Sequence, residues 1–277
     1  MASVLFDDVR VAVIGGGDLA SGVIYRLYRA GFPVVVTELP APLFVRRAVS
    51  FGEAVYRDEI TVEGVTARRA IDIDEVSVFW RRGVVPVVVD PDGDMLARLN
   101  VAVVVDARME KRNLGVRRGD APLVVALGPG FTAEDDVDFV IETNRGHDLG
   151  RVIREGAAEP DTGEPGRVKG ITHSRVLRAP LAGHVHANFE IGDFVATDDE
   201  IAMISGEPVV AAFDGVLRGI IHPSVEAWAG LKIGDLDPRG NRENCFKISD
   251  KSLAVGGGVV EAVLSAAVVR ELVAGVG

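Results

Sequence analysis

Residues 9–14, Val-Arg-Val-Ala-Val-Ile, run directly into Gly15-Gly16-Gly17-Asp18-Leu19-Ala20. This junction of an apolar strand with a G-x-G-x-x-A turn constrains the fold more than any other stretch. Gly15 permits a tight turn, Gly17 lets a phosphate approach the backbone amides, and the small Ala20 lets the next helix pack closely on the strand. The start of that helix supplies unpaired N–H groups and a partial positive charge, which suit a pyrophosphate. A second apolar strand, residues 32–37, ends at Glu38, roughly 20 residues past the glycines, where an acid holds a ribose hydroxyl. The order strand, glycines, helix, strand, acid predicts a Rossmann-like domain with Gly15, Gly16, Gly17, Asp18, Ala20 and Glu38 at its cofactor site. Asp18 puts a negative charge where a pyrophosphate would lie, although aspartate at a helix start is commonly a cap.

The pattern continues as α/β. Residues 43–54 read as a charged helix, 59–69 as a strand pair inserted into the sheet, and 71–82 as a helix. Short apolar runs at 84–89, 101–105, 123–127 and 137–142 have the character of buried parallel strands. Open α/β sheets bind ligands beyond the carboxyl ends of their strands. Segments 106–113, 128–130 and 144–148 follow such ends and, with the glycine loop, predict one crevice. Arg108, Lys111 and Arg112 are its candidate anion contacts. His147, the single histidine of the first half, is either a weak catalytic candidate or a structural residue.

With 277 residues the chain has room for two domains, each with its own core. The net charge of -11 disfavours nucleic acid and anionic lipid as partners. No basic region followed by an apolar run opens the sequence, and no apolar stretch reaches the ~20 residues that span a bilayer. Its single cysteine, Cys245, cannot form an intramolecular disulfide, so a cytoplasmic location is expected. Neither a zinc-spaced Cys/His set nor a P-loop is present, and no metal site is predicted.

Residues 155–169 are rich in glycine, proline and acids and read as a linker between a domain at 1–155 and one at 170–277. Beyond it lies an internal repeat. Ala179-Pro180-Leu181-Ala182-Gly183 matches Ala211-Ala212-Phe213-Asp214-Gly215 at an offset of 32, which also pairs Val185 with Leu217, Phe189 with Ile221 and Ile201 with Ile233. Two copies of a short-stranded unit with glycine turns predict a pseudo-twofold β-sandwich. The repeat resembles the barrel-sandwich hybrid of biotinyl and lipoyl domains, whose modified lysine would lie in the hairpin after Ile201-Ala202-Met203-Ile204. Here that hairpin is Ser205-Gly206-Glu207-Pro208, and no lysine occurs between Lys169 and Lys232. No lipoyl or biotinyl group is expected, and the β module is read as structural or docking.

The last helix, read over residues 259–273, is apolar on almost all sides, which predicts burial between domains, against the sheet, or in a homo-oligomer. Gly256-Gly257-Gly258 before it is read as a flexible junction or an anion-admitting helix start. Cys245 is either a small buried hydrophobe or a thiolate donor aided by Arg239 and Arg242.

Several motifs together resemble the YqeB family, accessory proteins named for selenium-dependent molybdenum-hydroxylase systems. They are residues 16–22, 26–31, 45–50, 106–113, 127–132, 142–152, 234–239 and 243–251, and they run nearly end to end. The resemblance makes Asp18 part of a motif. It implies a maturation factor that presents a phosphate-bearing cofactor, such as a molybdopterin or a nucleotide, to a molybdenum hydroxylase or its maturation proteins. An NAD(P)-dependent oxidoreductase acting on a small metabolite or a sulfur or selenium species, and a non-catalytic scaffold, are the alternatives.

Overall fold

The computed structural model describes residues 5–161, 163, 170 and 173–275. The chain divides into two compact units. Unit 1 comprises Met1–Pro40, Phe51–Asp161 and Ile248–Gly277, and unit 2 comprises Ala41–Ser50 and Thr162–Lys247. This differs from the division at 155 and 170. The terminal segment returns to the first unit, and ten residues after β2 are lent to the second.

Unit 1 contains, in chain order, β1 (Val11–Ile14), α1 (Asp18–Ala30), β2 (Val34–Glu38), α2 (Ala54–Arg57), β3 (Glu59–Val62), β4 (Val65–Ala70), α3 (Ile73–Arg81), β5 (Val85–Val89) and α4 (Asp94–Arg98). It continues with β6 (Val103–Asp106), β7 (Leu123–Leu127), β8 (Thr132–Ala133), β9 (Phe139–Ile141), β10 (Val152–Ile153), β11 (Gly156–Ala157), α5 (Asp250–Ser265) and α6 (Ala267–Ala274). Nine strands form one sheet in the order β10-β9-β7-β6-β1-β2-β5-β4-β3. All pairings are parallel except β3 with β4 and β10 with β9 at the two edges. Such a sheet needs apolar cover on both faces. On one face, Ala12, Val35, Val88, Val104 and Val124 pack with Val76 and Phe79 of α3. The linker predicted at 155–169 begins inside this unit, since β11 pairs with β8; residues 162 and 164–169 lie outside the described residues.

Helix α5 begins nine residues before the predicted 259, and the glycine triplet lies inside it. Its glycines are packing positions. A methyl group at Gly22 of α1 would overlap the carbonyl of Ser252, one at Gly256 the carbonyl of Gly22, and one at Gly258 the carbonyl of Gly150. The two helices therefore approach backbone to backbone. Residue 22 faces both 252 and 256, and Arg26 lies against 256, so α1 and α5 run in the same direction with their first turns side by side. The predicted single buried helix breaks at Ala266, whose backbone is extended. Val255, Val259, Ala262 and Val263 of α5 are buried, whereas Leu272 and Val273 of α6 are exposed.

In unit 2 the repeat appears directly in strand register. Gly183 pairs with Ala227 and His184 with Glu226; 32 positions on, Gly215 pairs with Val195 and Val216 with Phe194. Likewise Val176–Asp235, Leu177–Gly234 and Arg178–Lys232 are matched by Pro208–Met203, Val209–Ala202 and Val210–Glu200, including the bulge. The described strands of this unit are all antiparallel. Val185, Leu217, Ile201 and Ile233 are buried as the repeat requires; of the third pair, Ile221 is buried and Phe189 half-buried. Inside lies Asp235, which accepts two 2.9 Å bonds from Arg175 and has Arg218 at 3.6 Å.

The helix predicted over 43–54 is not formed. Short 3-10 turns, Arg47–Val49 and Phe51–Glu53, precede the single turn of α2. Tertiary bonds replace helical ones. Arg46 donates to the carbonyls of Asn244 and Lys247 at 3.0 and 2.9 Å, and Arg47 to that of Ile220 at 2.9 Å.

Candidate functional site

The chain runs from β1 to β2 on one side, and from β5 it crosses over to β6 on the other side of β1. The carboxyl ends of β1 and β6 therefore flank a topological switch point, the place where open α/β sheets form a ligand crevice. Gly15 leaves β1 with φ +92, and a methyl there would come within 3.4 Å of the Arg108 backbone. Only glycine adopts this turn without strain while letting the loop after β6 lie so close.

The Gly16 N–H donates to Glu38 Oε1 at 2.6 Å, and Leu39 N–H donates to Oε2 at 3.0 Å. Burial raises the Glu38 carboxyl above its ordinary value, and these two bonds only partly offset it. Gly16 is itself buried against Gly52, whose N–H donates to the Gly16 carbonyl at 2.9 Å. Ser21 Oγ closes the group by accepting from Phe51 N–H at 2.9 Å and donating to the Gly16 carbonyl at 3.3 Å. Gly17 is the N-cap of α1, in extended conformation, and no side chain caps that turn. Asp18 is not a cap. Its Oδ1 accepts 3.1 Å from Ser252 Oγ on α5. Ala20 is buried, as close packing requires.

The second rim is the loop after β6. Buried Asp106 accepts from Arg108 N–H and Nε at 3.1 Å and from Arg108 Nη2, so this guanidinium folds back onto its own strand end. Lys111 Nζ donates 2.6 Å to Asp161 Oδ2, and Arg112 is exposed. Methyl groups at Gly128 and Gly130 would overlap Thr143 Oγ1 and the backbone of 111–112, so the ends of β6, β7 and β9 are drawn together. Glu142 fixes the last of these loops by accepting from Thr143, Asn144 and Glu159 N–H at 2.7, 2.7 and 2.8 Å. His147 is exposed on that loop and Arg145 pairs with Asp250 at 2.9 Å.

Cys245 stands apart, in unit 2. It is fully buried, with Sγ 3.9 Å from the Leu217 carbonyl. Burial raises its thiol pKa, and Arg218, Arg46 and Arg242 do not reverse this. Arg239, one of the expected activators, is bound to Asp237 at 2.6 Å. The surroundings of the thiol are those of a core residue, not of an activated thiolate. Among the described residues no group of three His, Cys, Asp or Glu side chains is placed to hold a metal, and no single helix is long and apolar enough to cross a membrane.

Lys251 and Ser252 were not predicted at the site. Ser249 caps α5 by accepting 3.1 Å from Ser252 N–H, and the sequence Ser249-Asp250-Lys251-Ser252 carries that signal. Three glycines a turn later concealed it.

No family model matches the chain. An aspartoacylase family protein from Mesorhizobium loti is similar over 83% of this chain and 84% of its own, at 13% identity and TM-score 0.25. A succinylglutamatedesuccinylase/aspartoacylase from Rhodobacter sphaeroides is similar over 83% and 85%, at 14% and 0.26. In sequence the chain is 47% identical over 254 residues to the uncharacterized protein YqeB of Escherichia coli (strain K12), covering 92% of this chain and 47% of that one, so it spans about half the relative's length. The segments Gly15–Ala20, 106–113 and 142–152 that build the site thus lie in a chain that belongs to the YqeB family.

Proposed function

We propose that unit 1 is a Rossmann-like domain that holds a phosphate-bearing cofactor, of molybdopterin or nucleotide type, at Gly15–Ala20. On this reading the chain serves as a cytoplasmic maturation factor for a selenium-dependent molybdenum hydroxylase. The observation that carries the reading is the start of α1: a glycine N-cap with no side-chain cap, at the carboxyl end of the central strand and at the switch point. Aligned N–H groups there receive phosphate without a dedicated cation. Each Glu38 oxygen accepts one backbone N–H and retains a lone pair for a ribose hydroxyl. Unit 2, read as a barrel-sandwich-hybrid-like module without its carrier lysine, is the docking element for the hydroxylase or its maturation proteins. The maturation role is supported by the family resemblance.

The test is thermal melting of the whole chain with NAD, NADP and molybdopterin dinucleotides. At about 100 times its dissociation constant a true ligand adds about 2.7 kcal/mol of apparent stability. Gly17→Val is expected to abolish the shift and Asp18→Asn to enlarge it, because the asparagine keeps an acceptor for Ser252 without the charge. NAD outperforming NADP, together with turnover of a small substrate, would favour the oxidoreductase reading, for which Glu38 at the end of β2 speaks. A wild-type protein unmoved by every candidate removes the cofactor-site reading.

A further inference from the structure

Helix α5 brings a lysine to the glycine loop. Because Gly22 lets the Ser252 carbonyl touch α1 and Ser252 Oγ bonds to Asp18, the first turn of α5 lies beside the first turn of α1. Lys251 belongs to that turn and is half-buried. Its ammonium makes no hydrogen bond or ion pair among the described residues. The charges that act on it come from three elements: Asp18 on α1, Glu142 and Arg145 after β9, and Asp250 on its own helix. Each of the three carboxylates is engaged elsewhere: Asp18 by Ser252, Glu142 by three backbone N–H groups, and Asp250 by both terminal nitrogens of Arg145.

We infer that Lys251 is the cationic contact of the glycine-loop site, completing it for a phosphate or pyrophosphate group. This rests on the reading of Gly15–Ala20 as a phosphate site and adds a positive charge beside it. Of the three basic residues of the neighbouring rim, Arg108 is folded onto Asp106, Lys111 is paired with Asp161, and Arg112 stands exposed to solvent instead of in a half-buried niche such as that of Lys251. A half-buried ammonium without an acceptor is costly, and an anion placed against it removes the cost. Burial, followed by the nearby Arg145, lowers the lysine's pKa despite the three acids, which agrees with a desolvated niche that an anion would relieve.

A phosphate-directed amine label on the whole chain tests this. Pyridoxal 5′-phosphate joins an amine through its aldehyde with loss of water, borohydride reduction fixes the adduct, and peptide mapping locates it. Lys251 is expected to react ahead of Lys111, Lys169, Lys232 and Lys247, and inorganic pyrophosphate to protect it. Pyridoxal, which lacks the phosphate, should label it about tenfold less. Equal labelling by pyridoxal, or no protection by pyrophosphate, overturns the assignment. In calorimetry Lys251→Gln should bind pyrophosphate about tenfold more weakly and Lys251→Arg near normally, with unchanged melting of both showing that the fold is intact. If NAD and the molybdopterin dinucleotides bind wild type and Lys251→Gln alike, Lys251 is eliminated while the cofactor reading stands. If none of them binds but pyrophosphate still protects Lys251, the assignment stands and the dinucleotide reading falls.

Discussion

The carboxylate of Glu38 accepts a 2.6 Å hydrogen bond from the backbone N–H of Gly16, tying the end of β2 to the turn that leaves β1. The bond holds the glycine loop in shape, yet it leaves a negative charge in a partly dry place. Burial therefore raises the Glu38 pKa, and the Gly16 and Leu39 bonds offset only part of the effect. A carboxyl raised in the folded state binds its proton more tightly folded than unfolded. Its contribution to stability is most favourable below the ordinary glutamate value and is lost as pH rises through the raised one. Wild type should lose stability relative to Glu38→Gln as pH rises from the ordinary glutamate range through the raised folded-state value, as read from paired denaturant titrations. A difference between the two proteins that stays constant with pH would show that the carboxyl is not perturbed.

The three consecutive glycines of α5 should respond to alanine in opposite senses. Gly256 and Gly258 face carbonyls of Gly22 and Gly150, so a methyl at either one forces α1 or the 142–151 loop away and should cost about 1–3 kcal/mol or more. Gly257 is exposed, with nothing within 4 Å of the place a methyl would occupy, and alanine there should stabilise by about 0.5–1 kcal/mol. Urea unfolding of the three variants checks the order; equal effects at 256 and 257 would remove the close helix contact.

Cys245 should be silent toward thiol reagents in the native protein and react fully once unfolded, since burial both shields its sulfur and raises its pKa. Cys245→Ala removes only the sulfur and should cost about 1 kcal/mol. Rapid native alkylation would restore the donor role.

Peptides covering residues 179–240, isolated from the host, should have the masses of the unmodified sequence. The hairpin where a carrier lysine would stand is a two-residue turn, Ser205 and Gly206, both with positive φ, between Ile204 and Glu207. An added lipoyl or biotinyl mass mapping between residues 170 and 240 would contradict this.

Much of unit 1 was legible because its signals are local. A short apolar run placed β7 at 123–127, alternation placed the strand pair β3 and β4, and turn chemistry placed the glycine loop. Segment 43–54 misled because its apolar and basic residues have helical spacing, whereas its arginines serve carbonyls about 170 to 200 positions away. No local pattern encodes such partners. The same holds for α5: a glycine triplet lowers helix propensity, and only the backbone of α1 explains why it is tolerated. At the site, the loop glycines and Glu38 were readable. The engagement of Asp18 by Ser252 and the approach of Lys251 were not, because they join residues separated by most of the chain.

The duplicated register of unit 2 interlocks the copies. The strand at Gly183–His184 in the first copy is completed by Glu226–Ala227 in the second, and Phe194–Val195 by Gly215–Ile220. Cut from the other, each copy keeps only its internal ladder, His186–Ala187 with Glu200–Ile204 in the first and Gly215–Ile220 with Lys232–Asp237 in the second, and loses every pairing that joins the two. A break in the connection between them leaves two fragments that must meet before either can fold, so complementation between co-expressed halves, and not autonomous folding of one, is the behaviour this architecture dictates.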